Sequence, residues 1–308
     1  MLHKRTKDKL KKLLIGIILI FGVFIYTTYL EEPINKYLNK FNEMIEPTIS
    51  SRKVDGNLVI YFVDVGQADC ILISNNDHYM LIDAGNNEDG PKLVNYFKGM
   101  GISKFDYVIG THAHEDHIGG LDDIINNFDI KTFYMPDVSQ TTYTFESVLD
   151  ALERKNIYFE TPKEDNSYKF GNSSFTVLSV GTDSTDLNNT SIVLKLTYGN
   201  NSFLFTGDAT SSVERKILDK DISADVLKVG HHGSQYSSSA NFLKTVYPKY
   251  AVIQVGKNNE YGHPKSITLN KLKKINAKIY RTDKDGTIIC TSDGNNISFI
   301  SMETDTNG

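Results

Sequence analysis

Four side chains able to bind a metal fall within six residues of this 308-residue chain. The segment THAHEDHIGG, residues 111–120, carries His112, His114, Asp116 and His117. Imidazole and carboxylate ligands suit zinc, manganese or iron. His112 and His114 are two apart, so on an extended segment they project to one side. Asp116 and His117 stand where the chain turns into a helix and can face a second ion. Gly119 and Gly120 let backbone pack closely behind the site, and Glu115 is expected to face solvent. The alternative is a polar loop of unrelated His and Asp, and four such residues directly after a buried strand argue against it.

Further polar residues stand at strand ends. Asp208 follows the apolar run 203–205. An unpaired carboxylate beside a core is costly, so a cation partner is expected, the alternative being an N-cap for a helix at 213–218. His231 and His232 are neighbours, and neighbours on an extended segment diverge. One therefore ligates and the other meets substrate or a supporting group, and the reading favours His231 as ligand. Ser234 either contacts phosphate or caps a helix. His263 either contacts substrate or leaving group or is a loop histidine. Asp83 closes a strand at 79–83 and is expected to orient the ligand loop rather than bind metal. Cys70 and Cys290 lie in apolar β-runs and read as buried thiols. Two cysteines exclude both a disulfide-stapled scaffold and a thiolate-rich zinc fold.

The elements that must position these residues alternate. Strands are predicted at 57–64, 70–74, 79–83, 105–111, 130–135, 175–180, 191–198, 203–206, 225–229 and 251–255, with more β-structure over 279–302 and Asx-Gly turns at 285–286 and 293–294. Helices are predicted at 91–100, 116–128, 145–155, 213–218, 240–246 and 266–275. This is one α/β domain at 57–303, followed by a tail at 304–308. Ahead of it, residues 1–12 hold six basic residues against one acid, and residues 13–30 (LLIGIILIFGVFIYTTYL) carry no charge. Eighteen helical residues reach roughly 27 Å, close to a hydrocarbon core of about 30 Å. The expectation is a transmembrane signal-anchor at 13–30 with a cytoplasmic N-terminus, a juxtamembrane stalk at 31–56 and the catalytic domain outside a bacterial-type cell membrane. A cleaved signal peptide and a secreted domain is the competing reading. The formal net charge is −5, and because residues 1–12 carry +5 the remainder carries −10.

Taken together the motifs resemble the metallo-β-lactamase superfamily. Its signature H-x-H-x-D-H is matched at 112–117, and LIDAG at 81–85, TGD at 206–208 and VGHHGS at 229–234 occur in the family's order. A narrower likeness, spanning about 57–290, is to the C-terminal hydrolase domain of ComEC-type DNA-uptake proteins. It rests on VDVGQAD at 63–69, VLKVGHHGS at 226–234, VGKNN at 255–259, YGHP at 261–264 and YRTDKDG at 280–286, with Ala68 where the usual motif has glycine.

The resemblance implies an αβ/βα sandwich holding two divalent metal ions, zinc or manganese. His112 and His114 would hold one ion, and Asp116, His117 and a histidine of the 231–232 pair the other, with Asp208 shared. Asp116, His263 and Ser234 would act on the substrate, and Asp83 and Asp64 would stand behind the ligands. The superfamily usually supplies a third histidine to the first metal from the segment between 118 and 207, which here contains none. The matching stretch LNNTS, 187–191, offers Asn188 and Asn189, whose amide oxygens suit harder ions than zinc.

The ComEC likeness implies a membrane-anchored phosphodiesterase, with DNA among its substrates. The charge of −10 counts mildly against long DNA, since phosphate contacts need Lys and Arg. Hydrolysis of a small ester, lactone or β-lactam, or of a phosphate ester at the cell surface, is the second reading, because one fold hosts all of these. A degenerate binding module without turnover is the third.

Overall fold

Two twisted sheets face one another, and each carries helices on its outer side. The computed structural model describes residues 58–181 and 185–302. The expected basic N-terminus, signal-anchor, stalk and tail lie outside the described residues. No helix among the described residues is long and apolar enough to cross a membrane.

The first sheet runs β15-β14-β1-β2-β3-β4-β5-β6 and the second β13-β12-β11-β10-β9-β8-β7. In the first sheet β1 (Leu58–Phe62), β2 (Cys70–Asn75) and β3 (His78–Ala84) are antiparallel, while β4 (Lys104–Ile109), β5 (Asp129–Tyr134) and β6 (Phe159–Glu160) continue parallel to β3. In the second, β7 (Ser167–Phe170), β8 (Ser173–Ser179), β9 (Val193–Tyr198) and β10 (Asn201–Phe205) form an antiparallel meander. There β11 (Val226–Lys228), β12 (Tyr250–Ile253) and β13 (Lys278–Arg281) extend it in parallel. The chain then returns to the first sheet as β14 (Thr287–Ser292) and β15 (Ile297–Met302).

The strands bury both faces, which is why β1 and β2 read as continuous apolar runs. Leu58, Ile60, Phe62, Phe175, Phe203 and Phe205 fill the space between the sheets. On the outer face of the first sheet, Phe97, Ile124 and Val148 belong to α1 (Gly90–Gly99), α3 (Leu121–Asn127) and α4 (Tyr143–Lys155). On the outer face of the second, Val213, Phe242 and Leu272 belong to α5 (Ser211–Lys216), α6 (Ala240–Val246) and α7 (Ser266–Lys274).

Strands β6 and β7 are not expected from the sequence, and two further elements differ from its reading. The helix expected over 116–128 is two pieces, α2 (Glu115–Ile118) and α3, parted at Gly119–Gly120. A Cβ at Gly119 would overlap backbone atoms of Asn86 and Asn87, and one at Gly120 the carbonyl of Ala84. The glycines are what let this turn lie directly on the end of β3, and that contact breaks the helix. The Asp285–Gly286 pair closes no hairpin. It ends a single helical turn, α8 (Thr282–Asp285), that carries the chain from the second sheet to the first. Both cysteines are buried free thiols, as the sequence implied.

Candidate metal centre

The polar residues singled out in the sequence converge at the carboxyl ends of strands from both sheets. Asp83 ends β3, His112 to His117 follow β4, Asp208 follows β10, and His231 and His232 follow β11. Asp116, His117, Asp208 and His232 form a group whose ligand atoms all lie within 4.8 Å of one another. His117 Nε2 stands 3.3 Å from Asp208 Oδ1 and 3.8 Å from Asp116 Oδ2. His232 Nε2 stands 3.1 Å from Asp116 Oδ2 and 3.6 Å from Asp208 Oδ2. Beside this group His112 Nε2 and His114 Nδ1 turn to one point, 3.0 Å apart, and the rings of His112 and His117 are 4.1 Å apart by centroid.

The Gly207 backbone is left-handed (φ 49°), and a Cβ there would sit 3.1 Å from Ser191 Oγ and from the side chain of Thr111. The turn thus presses into the H-x-H-x-D-H loop, and the Asp208 N–H donates to Ser191 Oγ at 3.1 Å. Asp208 caps no helix, since Thr210 caps α5.

Asp83 fixes two of the imidazoles. Its Oδ1 accepts the Thr111 N–H (2.8 Å), and its Oδ2 accepts the Thr111 hydroxyl (2.7 Å) and the His117 Nδ1–H (2.8 Å). With its proton given to Asp83, Thr111 Oγ1 accepts from His112 Nδ1 at 3.2 Å. One carboxylate therefore sets His117 directly and His112 through a hydroxyl, leaving both Nε2 atoms for the centre. Asp64, expected in a similar place, does not stand behind a ligand. Its carboxylate accepts from Gly66 N within its own loop.

The adjacent histidines do not sit on an extended segment. Both are left-handed, His231 at φ 53° and His232 at φ 51°, a conformation costing roughly 1–2 kcal/mol per non-glycine residue. The turn splits them. His232 is buried, with Nδ1 3.0 Å from the Gln254 carbonyl, and it joins the carboxylates. The preference for His231 is revised on this geometry. His231 Nε2 is 3.6 Å from Asp208 Oδ2, its side chain is a quarter exposed, and its ring lies 5.7 Å from that of His263. His263 in turn stacks on the exposed Tyr261 at 5.8 Å. Ser234 is buried, and its hydroxyl accepts from Tyr236 N at 3.3 Å, which is a turn bond.

The two asparagines separate. Asn189 is committed, accepting from the Thr210 hydroxyl at 2.5 Å and donating to Asp186 at 3.3 Å. Asn188 Oδ1 is buried without a hydrogen-bond partner.

Electrostatics fit a cation. Burial alone would push His117 down, but Asp208, Asp116 and Asp83 outweigh it and hold the imidazole well above its ordinary value. Burial also opposes charge on His232, yet Asp208 and Asp69 push it up to about 10. Burial drives Asp208 upward, while His117 and His232 hold it well below the usual carboxylate range. His117 Nε2 and Asp208 Oδ1 are both buried without a hydrogen-bond partner. A cluster that borrows protons to balance carboxylates is one that divalent cations would balance instead.

Sequence reasoning gave no role to Asp69, Lys228, Gln254 or Thr111. The signal for Lys228 was present as a lone Lys within the apolar run 226–229, because a buried charge requires a partner. That partner is Asp69, at 2.5 Å.

Residues 63–257 match the metallo-beta-lactamase superfamily. The chain belongs to that superfamily. It has the metallo-β-lactamase fold with a cluster of candidate metal ligands, and it is related to competence proteins. ComE operon protein 3 of Bacillus subtilis is 32% identical over 247 residues, covering 73% of this chain and 32% of the relative. Competence protein ComA of Neisseria gonorrhoeae is 28% identical over 241 residues, covering 73% and 31%. The chain thus spans about a third of the length of these relatives. Among solved structures, the metallo-beta-lactamase fold protein YhfI from Bacillus subtilis superposes with a TM-score of 0.52 at 13% identity, covering 80% of this chain and all of that one. At that identity the likeness speaks for the fold alone.

Proposed function

We propose that this chain is a membrane-anchored hydrolase of phosphodiesters, with DNA as the polymer that its competence-protein relatives suggest, acting outside the cell membrane. The observation that carries the hydrolase reading is the meeting of Asp116, His117, Asp208 and His232 beside the His112–His114 pair. These residues would hold two divalent cations, zinc or manganese, which would supply Lewis acidity for phosphodiester hydrolysis.

In this reading His112, His114 and Asn188 would hold one cation and Asp116, His117 and His232 the other, with Asp208 available to both. Asn188 is preferred to Asn189 because its amide oxygen is the one left free. Asp83 holds the tautomers of His117 and His112. His231 and His263 face the substrate, and Ser234 shapes the turn between them. The membrane part rests on the uncharged run 13–30 after a basic segment, which makes 13–30 the single span and 57–303 the catalytic domain.

Two experiments test this. Full-length protein loaded with manganese or zinc should hydrolyse bis-p-nitrophenyl phosphate and single-stranded DNA and leave nitrocefin and a lactone intact. Turnover of nitrocefin or the lactone with both phosphodiesters inert would overturn the substrate class. Protease added to intact cells should digest the catalytic domain and spare an N-terminal tag, and full protection of the domain would overturn the topology.

A further inference from the structure

We propose that the buried Asp69–Lys228 ion pair is the positioning device for the His232 end of the metal centre. The two residues are 159 apart in sequence, and their side chains are 1% and 0% exposed. Asp69 lies in the loop between β1 and β2 of the first sheet, and Lys228 ends β11 of the second. The pair therefore ties the two sheets together at the floor of the site.

Asp69 touches three of the segments that supply the centre. Its N–H donates to the Asp116 carbonyl at 3.0 Å, and its carbonyl accepts the Gly85 N–H at 2.9 Å. Its Oδ1 stands 3.3 Å from His232 Nδ1. Lys228 Nζ takes the other carboxylate oxygen and also donates to the Val229 carbonyl at 3.2 Å, just ahead of the left-handed turn that splits the two histidines. Gln254 completes the frame. Its carbonyl faces His232 Nδ1 at 3.0 Å, and its side-chain amide donates to the carbonyls of Val63 (2.9 Å) and Cys70 (2.8 Å), which flank the Asp69 loop. With Nδ1 hydrogen-bonded to the Gln254 carbonyl and facing the Asp69 Oδ1 charge 3.3 Å away, the imidazole is left to offer Nε2 to Asp116, Asp208 and a cation.

Lys228 is too deep to reach substrate, so its charge acts through Asp69. A buried ion pair adds little net stability over an apolar pair of the same volume, whereas losing one member leaves an uncompensated charge. Holding His232 is the role left for it. The inference rests on the metal reading of the cluster and not on the substrate proposed for it.

The test compares the full-length protein with Lys228→Met, Asp69→Asn and the double variant, by calorimetric titration with manganese and with zinc and by thermal unfolding of the metal-free forms. Lys228→Met should lower the unfolding midpoint by roughly 6–20 °C. The double variant should regain most of that loss, because no buried charge is left unpaired. Its cation at the Asp116–His117–His232 position should still bind about 10–100-fold more weakly, with the His112–His114 step unmoved. A double variant that binds metal like the unmodified chain would reduce the pair to scaffolding and overturn the proposal. So would a double variant no more stable than Lys228→Met. No cation step in the unmodified chain would overturn the metal reading itself, a different failure.

Discussion

Thr111→Val replaces a hydroxyl by a methyl of nearly the same volume at the one point where Asp83 reaches His112. The Thr111 hydroxyl donates to Asp83 Oδ2 at 2.7 Å and accepts from His112 Nδ1 at 3.2 Å, and all three side chains are buried. The first bond, made to a carboxylate, is worth about 1.5–3 kcal/mol, and stranding the imidazole N–H costs roughly 1–3 kcal/mol more. Asp83 Oδ2 keeps His117 at 2.8 Å and Oδ1 keeps the Thr111 N–H, so part of the loss is absorbed. The net expectation is about 2–4 kcal/mol, a fall of roughly 4–16 °C in the unfolding midpoint for a domain of this size. With its tautomer no longer fixed, His112 should bind its cation about 10–100-fold more weakly, and Thr111→Ser should restore both quantities. Differential scanning calorimetry with and without metal, paired with metal titration, reads the two effects separately. A Val variant within about 0.5 kcal/mol of the parent with unchanged metal affinity would refute the relay.

The remaining predictions concern the metals and their protons. Metal titration should show two unequal steps, and Asn188→His should tighten the weaker one. Asn189→His should not, because that side chain is committed to Thr210 and Asp186; two equally tight zinc ions in the unmodified chain would defeat this. His232 is raised to about 10 and so holds a proton near neutral pH in the metal-free fold, and against the effect of burial Asp208, Asp116 and Asp83 shift His117 in the same direction. Cation binding must then expel protons, and metal affinity should fall as pH falls. Calorimetry in two buffers of different ionisation heat should show the release, and heats independent of buffer would refute it. The sign for stability is opposite. The raised His232 contributes stability that is full below its ordinary value of 6.5 and is lost as pH rises through about 10, so the metal-free protein should melt progressively lower across that window.

Much of the site was legible because its ligands are local. H-x-H-x-D-H places four donors on one short loop, and strand and turn geometry alone project them together. The apolar runs at β1, β2 and β4 likewise announced buried strands. The break between α2 and α3 was not legible as a break. Two glycines in a helical pattern permit close packing, but only the approach of residues 84–87 from the first sheet makes that packing real.

The choice between His231 and His232 needed the fold, because it depends on two successive left-handed residues and on a carbonyl, that of Gln254, 22 positions away. The choice between Asn188 and Asn189 needed it too, since Thr210 and Asp186 engage one amide and leave the other free. In the same way Asp64 and Asp69 both lie in the 63–69 motif, and only the second reaches a ligand. Sequence by itself determined which residue types are present and which face a common side over a few positions, because backbone periodicity fixes those relations locally. Tertiary structure decided which of two equivalent neighbours ligates and which carboxylate lies behind it. Those outcomes turn on hydrogen bonds of about 3 Å between separate elements of the fold, 21 positions apart for Thr210 and Asn189, 22 for Gln254 and His232 and 116 for His232 and Asp116, and no local spacing encodes them.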